Sequence, residues 1–104
     1  MKEVTPIELK KMLDSKADFK LIDVREEHEK EIANIGGELI PMGTVMQRMN
    51  EIPKDKKVVI YCRSGARSGS VVKALEQQGY TNLYNLKGGI LAYSNDVDPS
   101  LMKY

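Results

Sequence analysis

Val58-Val59-Ile60-Tyr61-Cys62-Arg63-Ser64-Gly65-Ala66-Arg67-Ser68 joins a short apolar run to the only cysteine of the chain, and then to a glycine between two arginines. The apolar run reads as a buried strand, Ser64-Gly65-Ala66 as a turn, and the pattern from Ser68 onward as a helix. A strand, a loop rich in backbone N–H groups and a helix N-terminus, in that order, form a pocket for an anion. Here the pocket surrounds a thiol, and the chemistry is expected there.

Working outward, Ser68 is read as the cap of a helix whose Val71, Val72 and Leu75 point inward. Gly79 stands at its C′ position, with Tyr80 packing back on Leu75. Asn82 to Leu86 reads as a last strand, Lys87-Gly88-Gly89 as a turn and Ile90 to Tyr93 as the start of a short helix, with Asn95 to Tyr104 a polar surface tail. On the other side, Thr44 and Gln47 have capping-box spacing ahead of a helix with Val45, Met46, Met49 and Ile52 on one face. Gly36-Gly37 reads as a turn before the brief strand Glu38-Leu39-Ile40, which Pro41 stops.

Further upstream, Phe19 to Val24 is another apolar run, broken by Lys20 and Asp23. Asp23 and Arg25 stand at its end, either shaping a site at the strand edge or pairing as structural ions, and the pairing is the preferred reading. Glu26 to Glu31 is read as a short solvated helix, and its His28, the lone histidine, as a surface residue rather than a base for Cys62. Thr5-Pro6-Ile7-Glu8 opens a first helix through a capping box, with Val4 and Leu9 at the staple positions and Leu9, Met12 and Leu13 on one stripe. Strand and helix patterns alternate without repeats or linkers, which predicts an α/β domain over residues 1–104 with a mainly parallel sheet.

Composition narrows the function. With 41% hydrophobic and 30% charged residues and a net charge of +1, the chain offers neither the basic surface of a nucleic-acid binder nor the apolar span of a membrane protein. No leader is visible, and the expected location is the cytoplasm. One cysteine and one histidine predict no disulfide and no thiol-type metal site, and no cofactor is called for. The thiol is then a reagent or a small core residue, and the second reading leaves Arg63 and Arg67 beside it unexplained.

A thiolate is the reactive form of cysteine, and cations and helix N-termini stabilise it. Arg63 and Arg67 are expected to supply that charge, and Gly65 to turn N–H groups inward, so no separate base is needed. The same cradle suits a bound oxyanion or the outer sulfur of a persulfide. Sulfur transfer and phosphoryl transfer both remain open on these grounds.

Cys62-Arg63-Ser64-Gly65-Ala66-Arg67-Ser68 after an apolar strand resembles the active-site loop of single-domain rhodanese-like sulfurtransferases. Leu21-Ile22-Asp23-Val24-Arg25-Glu26 and Leu83-Tyr84-Asn85-Leu86-Lys87-Gly88-Gly89 match other segments of that family in the same order. The resemblance implies a five-stranded parallel sheet flanked by helices on both faces, with Cys62 as nucleophile and persulfide carrier. It implies backbone donors from residues 63 to 67, with Ser64, Gly65, Ala66 and Ser68 lining the substrate. Arg63 would meet the anionic donor or acceptor, and Arg67 would brace the loop. The implied partners are a small sulfur donor such as thiosulfate and a thiol or sulfur-carrier protein as acceptor.

Phosphatases sharing this fold place five residues between cysteine and arginine, whereas four lie between Cys62 and Arg67. The tighter loop favours a sulfur atom over a phosphoryl group, which disfavours phosphatase and arsenate-reductase chemistry. The alternative to an independent enzyme is a binding module or a sulfur relay that turns over only with its partner. Tyr93 stands where the family often has tryptophan, and Glu31 to Gly37 departs from its usual loop. Ile35-Gly36-Gly37, Leu39-Ile40-Pro41 and Asp98 to Tyr104 are more similar to the rhodanese-like domains fused to adenylating enzymes of molybdopterin and sulfur-carrier pathways.

Overall fold

The computed structural model describes residues Met1–Tyr104. Five strands, β1 (Glu3–Val4), β2 (Phe19–Asp23), β3 (Glu38–Leu39), β4 (Lys57–Tyr61) and β5 (Leu83–Leu86), form one sheet in the order β1-β5-β4-β2-β3. Every neighbouring pair is parallel. All strands therefore end at one edge, and the loops that follow them gather there. The chain leaves β2 toward β3 on one side and β4 toward β5 on the other, so the connections diverge between the ends of β4 and β2, the place where open parallel sheets put their sites.

The helices are α1 (Pro6–Asp14), α2 (Glu27–Ile32), α3 (Ala66–Gln77) and α4 (Gly89–Asp96). Alternation along β4 divides the core. Val58, Ile60 and Cys62 join Val71, Val72, Leu75 and Tyr80 in one cluster, while Val59 and Tyr61 join Leu9, Ile90 and Tyr93 in the other. Residues two apart share a sheet face, so the nearly continuous apolar run of β4 is that of a central strand covered on both sides. No helix is long and apolar enough to cross a membrane.

The capping box of α1 forms as its sequence predicts: Glu8 N–H donates to Thr5 Oγ1 at 3.1 Å and Thr5 N–H to Glu8 Oε1 at 2.8 Å. The C-terminus of α3 also closes as read, with the Tyr80 N–H reaching the Leu75 carbonyl. Two readings need correction here. The segment after Pro41 is not an α-helix but two 3-10 turns, Met42–Thr44 and Met46–Glu51, the second kinked at a non-helical Arg48. Thr44 Oγ1 donates to the Pro41 carbonyl at 2.8 Å instead of capping toward Gln47, and Met46 is exposed while Val45 and Ile52 are buried. The segment Asn95 to Tyr104 is not a purely polar surface tail, because Val97, Leu101 and Tyr104 pack on the second core cluster. Glu3–Val4 pairs with β5 as an edge strand too short to leave a periodic signal.

Candidate functional site

Cys62 follows β4 at the sheet edge, with 1% of its surface exposed. The loop turns at Gly65, whose φ of 100° is left-handed backbone that glycine adopts at no steric cost. This turn aims two main-chain donors at the sulfur: Gly65 N lies 3.1 Å and Ser68 N 3.4 Å from Cys62 Sγ, and Ser68 Oγ lies 3.3 Å away. The loop carbonyls point the other way. Those of Cys62 and Arg63 accept from Ile90 N at 2.9 Å and Leu91 N at 3.0 Å, in the first turn of α4.

Burial pushes the Cys62 thiol up, but hydrogen bonds from the Ser68 hydroxyl and from the N–H groups of Ser68, Gly65 and Ser64 outweigh it, and the thiol lies below its ordinary value. The donors are hydrogen-bonding groups, not the arginines that the sequence put forward. Arg67 turns to α2, where Nη1 and Nη2 donate to Glu29 Oε2 and Oε1 at 2.7 and 2.8 Å, so its charge is largely spent on a carboxylate. Arg63, exposed, donates through Nε to the main-chain oxygen of Tyr104 and lies over its ring, 5.2 Å from the centroid. Ser64 and Ala66 are exposed on the outer side of the loop.

Ser68 does not cap α3. The helix begins at Ala66 with Gly65 in the cap position, which leaves Ser68 in the first turn, fully buried against the sulfur. Its hydroxyl also lies 2.5 Å from Asn85 Oδ1, and Asn85 Nδ2 donates to the Gly65 carbonyl at 3.1 Å. Asn85 is absent from the sequence reading as a site residue. A polar side chain inside an apolar strand was the available signal, but only the pairing of β5 with β4 brings it under the loop.

At the neighbouring strand end, Arg25 is fully buried and grips Asp23 through Nε and Nη2 at 2.8–3.1 Å. Its other donors reach the carbonyls of Glu29 and Ala33 and the Tyr104 hydroxyl, so every guanidinium N–H has an acceptor. The pair braces the floor beside the cysteine loop without touching the sulfur. Glu29, read from sequence as part of a solvated helix, is buried and receives Arg67, the Glu26 N–H at 3.0 Å and the Tyr104 hydroxyl at 3.1 Å. His28 is exposed and makes no hydrogen bond to the site. Nowhere do three His, Cys, Asp or Glu side chains come together to hold a metal ion.

Residues 5–96 match the rhodanese-like domain family. The chain is 35% identical over 104 residues to "Probable adenylyltransferase/sulfurtransferase MoeZ" of Mycobacterium tuberculosis, covering 97% of this chain and 26% of that protein; it thus spans about a quarter of that relative's length. It is 44% identical over 93 residues to a protein of Allochromatium vinosum named "Sulfurtransferase", covering 88% of this chain and 87% of that one. Among solved structures, a rhodanese-like domain protein of Staphylococcus aureus superposes with a TM-score of 0.84 at 32% identity, over 100% of this chain and 99% of its own. A cysteine held at the end of a central parallel strand, in a fold shared with these proteins and a sequence match from the first helix to the last, makes this chain a member of the rhodanese-like domain family.

Proposed function

We propose that the chain is a sulfurtransferase that carries sulfane sulfur as a persulfide on Cys62, from thiosulfate or a persulfide donor to a thiophilic acceptor. The observation that carries this reading is the ring of three donors from Gly65 and Ser68 around a buried Sγ. They stabilise a thiolate without a neighbouring base. With thiosulfate, the thiolate attacks the outer sulfur, the S–S bond breaks and sulfite leaves with its electron pair. A nucleophile then takes the outer sulfur, and the electron pair of the persulfide bond returns to Cys62. Arg63 is the cation free to meet an anionic donor once it leaves Tyr104.

A relay that turns over only with a partner is the second reading. It is favoured by the match to a domain forming 26% of an adenylyltransferase/sulfurtransferase, and a thiol or sulfur-carrier protein is then the acceptor. Incubation with thiosulfate, or with a glutathione persulfide, followed by intact-mass spectrometry tests both readings. We expect one added sulfur that cyanide removes, none on Cys62→Ser, and turnover with cyanide as acceptor. Loading without turnover selects the relay, and an unchanged mass with both donors rejects sulfur transfer.

A further inference from the structure

The Ser68 hydroxyl has one proton and two acceptors. Asn85 Oδ1 lies 2.5 Å from Ser68 Oγ on one side and Cys62 Sγ 3.3 Å on the other, and all three residues are buried. Asn85 cannot turn its amide over to become the donor, because Nδ2 is engaged with the Gly65 carbonyl at 3.1 Å and the flip sets oxygen against oxygen. Asn85 Oδ1 has no donor other than Ser68.

Two arrangements satisfy these groups unequally. While Cys62 is a thiol, its S–H can donate to Ser68 Oγ and Ser68 can donate on to Asn85, and nothing is left unpaired. A thiolate only accepts. Ser68 must then turn to the sulfur, and the buried Asn85 oxygen loses its donor, a loss that opposes ionisation. In a persulfide the charge sits on the outer sulfur, Sγ is neutral, and Ser68 is free to return to Asn85.

We infer that Asn85 is a positioning residue: it competes with Cys62 for the Ser68 proton and so favours the loaded sulfur over the bare thiolate. The inference rests on the persulfide reading only for its loaded state. When the acceptor bonds to the outer sulfur and the S–S bond breaks, the electron pair stays on Cys62 Sγ. Ser68 turns toward it at the expense of Asn85. The charged groups on the surrounding elements are Arg67 of α3, matched by Glu29 of α2, Arg63 in the loop, and the Asp23–Arg25 pair after β2. Asn85 of β5 is neutral, so replacing it with leucine leaves that set unchanged.

With one cysteine in the chain, the ultraviolet absorbance of the thiolate, followed against pH with a Cys62→Ser blank, reports this site alone. Asn85→Leu keeps the branched shape and removes the acceptor. The Gly65 carbonyl keeps its bond from Gly69 N at 3.0 Å. The expected result is a midpoint lowered by about one pH unit, roughly tenfold in the ionisation constant. Ser68→Ala is expected to raise the midpoint, and Asn85→Leu added to Ser68→Ala to shift it no further. A purely structural Asn85 gives the opposite sign, because a loosened loop withdraws the Gly65 and Ser68 N–H groups from the sulfur. A raised or unchanged midpoint in Asn85→Leu, or the same lowering without the serine hydroxyl, overturns the inference. Asn85→Ala carries the same prediction should the leucine variant not fold. No sulfur donor enters the measurement, so its failure is distinct from failure of the sulfurtransferase reading.

Discussion

The Glu29 carboxylate accepts two hydrogen bonds from Arg67, one from the Glu26 N–H and one from the Tyr104 hydroxyl. The Arg67 guanidinium first, against the opposing cost of burial, then the Glu26 N–H and the Tyr104 hydroxyl, hold it at about 2 instead of its usual 4.5. A carboxyl that binds its proton more weakly folded than unfolded adds stability that is complete above the unfolded value and is lost as pH falls through the folded one. Wild type should therefore exceed Glu29→Gln in stability near neutral pH, and the gap should narrow between about 4.5 and about 2. Urea unfolding across that range measures it, and a gap constant with pH rules out this role for Glu29. Nothing in Glu26-Glu27-His28-Glu29-Lys30-Glu31 marks the third glutamate as different from its neighbours. It becomes so only when α3 brings Arg67 across to it, a contact 38 residues away in sequence.

The turn between β5 and α4 holds the cysteine loop by backbone contact. A Cβ on Gly89 would lie 2.3 Å from the Arg63 carbonyl oxygen, 2.5 Å from its carbon and 2.7 Å from the Cys62 oxygen. These are main-chain atoms of the loop that carries the sulfur, and no rotamer relieves the clash. Gly89→Ala is expected to displace the loop and cut sulfur transfer by roughly a hundredfold, the usual effect of a shift of about 1 Å at reacting atoms. Gly43→Ala, where nothing lies within 4 Å of the added Cβ, should leave transfer near wild type. Equal losses in the two variants, read from cyanide-dependent turnover, exclude loop displacement as the cause. The sequence reading recovered the strand–loop–helix at Cys62, the α1 capping box and the α3 terminus, because each is encoded by residues close together in the chain. Lys87-Gly88-Gly89 was legible only as a turn, since its second role depends on where α4 packs. The 3-10 turns after Pro41 were misread for a related reason: an apolar spacing fits either helix type, and the break at Arg48 leaves no mark in it.

Four parts of the molecule meet at Arg25: β2 supplies Asp23, α2 the Glu29 carbonyl, the following segment the Ala33 carbonyl, and the C-terminal segment the Tyr104 hydroxyl. Asp23 is the only carboxylate among these ligands, and both partners are out of solvent, with side chains 0% and 2% exposed. Burying the two charges is costly, so the intact pair by itself adds little net stability. Removing one partner is different, because it leaves a guanidinium with no counter-charge and no water. Asp23→Leu should lower unfolding stability by about 3–5 kcal/mol, a large part of the roughly 5–15 kcal/mol that holds a domain of this size together. The double variant Asp23→Leu/Arg25→Met removes the charges together, and it should recover much of that loss despite giving up every hydrogen bond at the junction. Urea midpoints for the wild type, both single variants and the double variant form the cycle that decides it. A double variant as unstable as the sum of the two single ones would mean that the two side chains contribute independently, Arg25 through its neutral carbonyl and hydroxyl partners, and would rule out the isolated charge as the cost. Recovery in the double variant would place the cost in the isolated charge, and the junction beside the cysteine loop would then depend on Asp23 chiefly to keep Arg25 neutralised.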